Sequence, residues 1–231
     1  MSFDDVIFIL EMIGTVAFAI SGVMVAKERK MDIFGAIVLG CATAVGGGMI
    51  RDLILGEIPP AMFTKPVYVT VAFITCVVDF IFERSRTTGT YMDKIDRNRI
   101  RSNFILNVAD SVGLAAFVVV GCRTAVNAGY GANMFLACFV GVLTGIGGGI
   151  LRDIFAGQMP LIMRKRVYGI AAIVGAIVYC GLSVIARPAG AFGSTMIAAV
   201  VSMLVTVLIR FLAIYFHWNL PSFKWSGCAR R

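Results

Sequence analysis

Long apolar runs alternate with short polar connections along the whole chain. A run of ~20 largely apolar residues is what a helix needs to cross a bilayer. Seven such runs are legible, roughly Val6–Ala26, Ile33–Leu55, Val67–Phe82, Phe104–Cys122, Met134–Phe155, Val167–Ile185 and Phe192–Phe216. The third is the shortest and carries Asp79, for which an ion pair on the inner side is expected. The pattern predicts an all-α membrane protein with seven transmembrane helices.

The runs repeat. Glu11-Met-Ile-Gly-Thr-Val-Ala-Phe18 aligns with Asp110-Ser-Val-Gly-Leu-Ala-Ala-Phe117. Gly22 then aligns with Gly121, Phe34 with Phe135, Gly40 with Gly141, Thr43 with Thr144, Pro59 with Pro160, and Val67-Tyr68 with Val167-Tyr168. Spans one to three therefore recur as spans four to six, and the seventh is extra. Three is odd, so the two copies cross the membrane in opposite directions, an inverted repeat of the kind that builds transport sites at the repeat interface. The expected organisation is a first three-helix repeat over 1–82 and a charged cytoplasmic connector over 83–103. A second, inverted repeat over 104–186 follows, then a seventh helix with a cytoplasmic tail over 187–231.

The strongest internal match is Ala44-Val-Gly-Gly-Gly-Met-Ile-Arg-Asp-Leu-Ile-Leu-Gly56 against Gly145-Ile-Gly-Gly-Gly-Ile-Leu-Arg-Asp-Ile-Phe-Ala-Gly157. Each glycine disfavours helix by ~1 kcal/mol relative to alanine. The triplets Gly46, Gly47, Gly48 and Gly147, Gly148, Gly149 are therefore expected to break helices two and five. Backbone freed inside a membrane must face protein or water, so the breaks predict a polar interior. Freed carbonyls, with the hydroxyls of Thr43 and Thr144 nearby, would suit weakly held monovalent cations. A second reading is that the glycines only let two helix backbones approach closely.

Charged residues inside spans need partners. Arg51 and Asp52 are neighbours and do not face each other on a continuous helix. Depth, at ~1.5 Å per residue, instead places Arg51 near Glu11 and Arg152 near Asp110. One such pair in each repeat would brace the helix beyond the break and act as a gate; the alternative is that the arginines snorkel to headgroups. Asp52 and Asp153 are expected at the N-termini of the trailing half-helices, where negative charge is favoured.

Composition agrees with the membrane reading. Of 231 residues 59% are hydrophobic and 15% charged, with a mean hydropathy of +0.89; a soluble domain carries ~25% charged residues. The net charge of +8 does not point to nucleic acid, because the basic residues cluster in the connections. Fifteen Lys and Arg fall on one side of the predicted topology, including Lys27, Arg29, Lys30, Arg84, Arg164 and Lys224. Only Lys65, Arg123 and Arg187 fall on the other. By the positive-inside rule the N-terminus is outside and the C-terminus cytoplasmic. Asp4 and Asp5 precede the first run and the basic residues follow it, the reverse of a cleaved signal, so the run is expected to stay as a helix.

The six cysteines, Cys41, Cys76, Cys122, Cys138, Cys180 and Cys228, show no metal-ligand or CxxC spacing and read as small hydrophobes. The single histidine, His217, lies 23 residues from Ser194, ~35 Å along a helix and too far for a Ser–His pair. It reads, with Trp218, as an interfacial anchor. No enzyme, no cofactor and no metal beyond transient monovalent cations is expected.

With the GGGxxRD motif found twice, at Gly46–Asp52 and Gly147–Asp153, in a three-plus-three-plus-one arrangement, the sequence resembles the prokaryotic branch of the trimeric intracellular cation (TRIC) channel family. Related bacterial proteins are often named glycine transporters. The resemblance implies a homotrimer with an hourglass pore in each protomer, lined by helices two and five and kinked at the glycine triplets. It implies passive conduction of potassium and, less, sodium, in the plasma (inner) membrane. The animal members carry a Lys-Glu-Val-rich motif tied to inositol lipids. This chain has Met-Ile-Arg-Asp and Ile-Leu-Arg-Asp there, so a bound phospholipid between protomers is implied but inositol-lipid regulation is not. The residues themselves leave a small-amino-acid carrier, such as one for glycine, as the alternative: inverted repeats serve both.

Overall fold

The apolar runs fold as helices; short helical turns stand in several connections, and the charged connector from Asp93 onward is continuous with the helix that carries the fourth run. The computed structural model describes residues 3–86, 93–164, 167–186 and 192–216. In order these form α1 (Phe3–Glu28), α2 (Ile33–Leu55), α3 (Ala61–Thr64), α4 (Val67–Arg86), α5 (Asp93–Asn127), a 3-10 turn (Tyr130–Ala132), α6 (Met134–Phe155), α7 (Leu161–Arg164), α8 (Val167–Ala186) and α9 (Phe192–Tyr215). His217, Trp218, Cys228, Lys165, Arg166 and Arg187 lie outside the described residues.

Among the described residues, six helices are long and apolar enough to cross a membrane: those covering Asp4–Glu28, Ile33–Leu55, Phe104–Asn127, Met134–Phe155, Val167–Ile185 and Thr195–Tyr215. The expected third span, α4, is a helix of 20 residues but is not among the six. It carries Asp79, Glu83 and Arg84 in its second half. Among the described residues Asp79 does not form the ion pair expected of it. Lys27 pairs instead with Glu83, one turn further along α4, and Asp79 Oδ2 is buried without a hydrogen-bond partner among the described residues.

The repeat is visible in the caps. Asp32 accepts a hydrogen bond from the Gly35 amide at 2.7 Å at the start of α2, and its mate Asn133 accepts from Leu136 at 3.0 Å at the start of α6. Such side chains satisfy amides that have no partner in the first turn. At the other end Gly56 and Gly157 both take the left-handed conformation, φ 76° and 63°, which only glycine adopts without a steric cost.

The helices are not broken. The helical assignment runs through Gly46–Gly48 and through Gly147–Gly149 without interruption, so the expected half-helices and freed carbonyls are replaced by two continuous helices. The reason is packing. α2 and α6 cross antiparallel at the triplets. A Cβ on Gly47 would collide with the carbonyl oxygen of Thr144, and one on Gly148 with the carbonyl oxygen of Thr43. A Cβ on Gly147 would stand 3.3 Å from Gly47 Cα. Missing side chains let the two backbones touch, and this contact offsets the cost of glycine in a helix. The same device recurs within each repeat, where Gly22 meets Gly40 and Gly121 meets Gly141.

α1 and α5 also pack antiparallel. Phe18 rests on Gly113 and Phe117 on Gly14, and the two rings lie 5.3 Å apart between centroids. Phe18 and Phe117 are repeat mates, so this contact and the glycine crossing share one pseudo-two-fold relation. The core around it is apolar: Phe18, Val23, Ala44, Ala72 and Cys76 on one side, Leu114, Val118, Val140, Ala172 and Ala176 on the other.

Candidate functional site

Two clusters of buried charge flank the crossing, one in each repeat. Along α1 the face Glu11, Thr15, Phe18, Ser21 repeats at three to four residues, the spacing of one side of a helix. Glu11 belongs to the first cluster and Ser21 to the second. Ten residues at ~1.5 Å each put them ~15 Å apart, with the Phe18–Phe117 pair between.

In the first cluster Arg51 is 6% exposed and Asp52 1%. Arg51 Nη1 stands 3.6 Å from Glu11 Oε1, and Arg51 Nε donates to Asp52 Oδ1 at 2.8 Å. The Tyr68 hydroxyl, from the start of α4, donates to Glu11 Oε2. A cavity of about 30 Å³ opens among Glu11, Thr15, Gly48, Arg51, Tyr68 and Phe117, enough for one or two waters. Two carboxylates face one guanidinium, so the cluster carries a net charge of −1.

The second cluster repeats this plan with tighter geometry. Arg152 Nη1 donates to Asp110 Oδ1 at 2.7 Å and also to Ser21 Oγ of α1. Arg152 Nε donates to Asp153 Oδ1 at 2.9 Å. Arg152, Asp110 and Asp153 are all fully buried. The seventh long helix then adds a residue with no counterpart in the repeat. Arg210 of α9, 1% exposed, lies over the Tyr168 ring at 4.5 Å, with Nη2 3.6 Å from Asp110 Oδ2 and Nε donating to Ser111 Oγ at 3.3 Å. Tyr168, the mate of Tyr68, is buried, and its hydroxyl has no hydrogen-bond partner among the described residues. Aspartate is one methylene shorter than glutamate, and Asp110 is already held by Arg152.

Four expectations about these residues change. The neighbours Arg51 and Asp52 do bond to each other, as do Arg152 and Asp153, because the long guanidinium arm folds back to the adjacent carboxylate. Asp52 and Asp153 lie in the last turns of α2 and α6, not at the starts of half-helices. Each reaches forward to the next short helix: Ala61 N donates to Asp52 Oδ2 at 2.8 Å, and Leu161 N to Asp153 Oδ2 at 2.7 Å. The amides they satisfy open α3 and α7. The hydroxyls of Thr43 and Thr144 are fully buried and donate to the carbonyls of Leu39 and Val140 in their own helices, at 2.6 and 2.7 Å. They belong to the helix crossing rather than to a hydrated face. The third glycines differ from the second. A Cβ on Gly48 would meet only Arg51 Nη2, at 3.9 Å. A Cβ on Gly149 would stand 3.2 Å from Tyr168 OH and 3.8 Å from Arg152 Nη2 and Asp110 Oδ1. Gly48 and Gly149 therefore face the charge clusters, while Gly47 and Gly148 hold the crossing.

The chain's likeness to known proteins is consistent along its length. A family model described as "Glycine transporter" matches twice, over residues 8–84 and 107–183, which are the two repeats. The UPF0126 inner membrane protein YadS of Escherichia coli K12 is 39% identical over 221 residues, covering 94% of this chain and 96% of that one. The UPF0126 membrane protein YvgT of Bacillus subtilis is 33% identical over 214 residues, covering 93% and 95%. A solved TRIC cation channel, from a study of conductance, superimposes with a TM-score of 0.78 at 35% identity, covering 99% of this chain and all of that one. The chain belongs to the prokaryotic TRIC family. A second TRIC structure, the orthologue from Rhodobacter sphaeroides, gives a TM-score of 0.78 at 32% identity over 92% of this chain.

Set against this TRIC fold, the residues that sequence reasoning missed are Arg210, Ser21, Tyr68 and Tyr168. The tyrosines were visible as repeat mates. Arg210 was visible as a lone charge inside a span, which by itself marks a site, but matching the repeats passes over it because α9 has no mate. Among the described residues there is no group of three or more His, Cys, Asp or Glu placed to hold a metal.

Proposed function

We propose that the protein is a passive, potassium-permeable channel for monovalent cations, with sodium also passing, and that each protomer of a homotrimer carries its own path. The observation that carries this reading is the full-length likeness to TRIC cation channels at a TM-score of 0.78. The path runs along the α1 face from Glu11 to Ser21, past Gly48 and Gly149, between the two charge clusters. The first cluster already encloses room for water. The Phe18–Phe117 contact is where a continuous wet path has to open, because an apolar constriction excludes water and ions together. α1, α2 and α4, their repeat mates α5, α6 and α8, and α9 then form a seven-span bundle in the inner membrane, N-terminus outside and C-terminus cytoplasmic, as the Lys and Arg distribution favours. Phospholipid fills contacts between protomers.

The test is made on purified full-length protein in a planar bilayer under a potassium chloride gradient, with and without glycine. Unitary currents that reverse near the potassium potential and ignore glycine support the channel. Absence of unitary currents together with saturable glycine uptake into liposomes overturns it in favour of a carrier, the reading that the family model's name carries.

A further inference from the structure

Arg210 breaks the symmetry of the two charge clusters, and the break is one of charge. The repeat-derived members match one to one: Glu11, Arg51 and Asp52 against Asp110, Arg152 and Asp153. Each set alone carries −1. α9 lies outside the repeat, and it delivers one further guanidinium to the second set only. Arg210 is not a surface residue that happens to point inward. It is 1% exposed, held by the Asp110 carboxylate, the Ser111 hydroxyl and the face of the Tyr168 ring. Arginine stays charged in any such setting. The second cluster is therefore neutral and the first is negative. A further cation, Arg29, reaches the second end through Gln158, which bonds to Asp153, but Arg29 is exposed and screened by solvent. The outcome is a first cluster beside a cavity with room for water and with net negative charge, and a second cluster that is fully buried and neutral.

We propose that Arg210 is the residue that makes cation flow through this protein one-sided. This rests on the channel reading above. Fixed charge in a low-dielectric wall acts on a passing ion far more strongly than the same charge in water. A permeating cation is concentrated at the Glu11 end and is not concentrated at the Asp110 end. Unitary current is then larger when cations enter from the Glu11 end than when they enter from the Asp110 end, at equal voltage and equal concentration. Removing the Arg210 charge gives both ends −1 and equalises the two directions.

The experiment is single-channel recording of wild type, Arg210→Met, Arg210→Lys and the double variant Asp110→Asn/Arg210→Met in symmetric potassium chloride. Each is first checked for a monodisperse gel-filtration peak and a cooperative melt. The ratio of unitary currents at equal positive and negative voltage is read, so the direction of insertion does not matter. Wild type is expected to rectify. Arg210→Met is expected to lose that rectification. Arg210→Lys, which keeps the charge, is expected to rectify as wild type does. The double variant, which returns the second cluster to neutrality without Arg210, is expected to rectify again. Wild-type currents with no rectification overturn the inference while leaving the channel reading intact. So does rectification unchanged in Arg210→Met, or an Arg210→Lys record that matches Arg210→Met, which assigns the effect to packing. If Arg210→Met alone fails to fold, the double variant and Arg210→Lys decide: a double variant without rectification overturns the inference. Absence of unitary currents from folded wild type overturns the channel reading and this inference with it.

Discussion

Gly47 on α2 lies directly against the carbonyl group of Thr144 on α6, with no room between them for a Cβ. Its mate Gly148 meets the carbonyl of Thr43 in the same way. Gly48, one residue along, has open space around it except for the end of the Arg51 side chain. Two consecutive identical residues thus have different tolerances, set by which side of the helix each occupies.

Gly47→Ala and Gly148→Ala are expected to destabilise the protein by ~1–3 kcal/mol, the cost of forcing atoms into a packed contact. Gly48→Ala is expected to be neutral or stabilising, because alanine favours helix by up to ~1 kcal/mol over glycine. Thermal unfolding in detergent checks this. Equal losses at Gly47 and Gly48 would contradict the close crossing.

The two ion pairs differ in what remains after one carboxylate is removed. Asp110→Asn leaves Arg210 with no carboxylate partner among the described residues, in a site without solvent. Breaking such a buried pair costs ~3–5 kcal/mol. Glu11→Gln leaves Arg51 bonded to Asp52 beside a cavity that admits water. Its cost is expected to be smaller, so the midpoint of chemical or thermal unfolding falls further for Asp110→Asn than for Glu11→Gln.

The mate tyrosines are expected to respond oppositely to loss of their hydroxyls. Tyr68→Phe removes a hydrogen bond to Glu11 and costs ~1 kcal/mol. Tyr168→Phe removes a buried hydroxyl that has no hydrogen-bond partner among the described residues, so it leaves stability unchanged or raises it. A matched pair of melting curves separates the two cases.

Thr43→Val and Thr144→Val are expected to leave unitary potassium conductance unchanged. Both hydroxyls donate back to their own helices and are fully buried. A conductance loss in either variant at wild-type stability would return these oxygens to the ion path.

Much of this arrangement was legible in the chain. The apolar runs gave α2 and α6 their boundaries at Ile33–Leu55 and Met134–Phe155, because an N-cap and a capping glycine punctuate both ends. Depth along the helices brought Glu11 toward Arg51 and Asp110 toward Arg152, since rise per residue is fixed. What sequence alone could not decide was how the glycine triplets are used. The same residues that weaken a helix in isolation permit the contact that supports it, and which effect prevails depends on whether a partner helix of matching smallness arrives at that level. Gly147 and Gly148 supply that match for Gly47. Arg210 was obscured for a different reason: its importance comes from where α9 docks, which no internal comparison records.

The crossing at Gly47 and Gly148 has the form of an isologous interface, in which the same surface patch meets itself about a two-fold axis. Contacts of α1 with α5 and of α2 with α6 are as extensive as those of α1 with α2 inside a repeat. The molecule is in that sense a dimer whose subunits share one chain. Opening the backbone between Arg86 and Asp93 and producing the two pieces together should return an assembled protein, whereas either piece alone would present its glycine stripe to nothing.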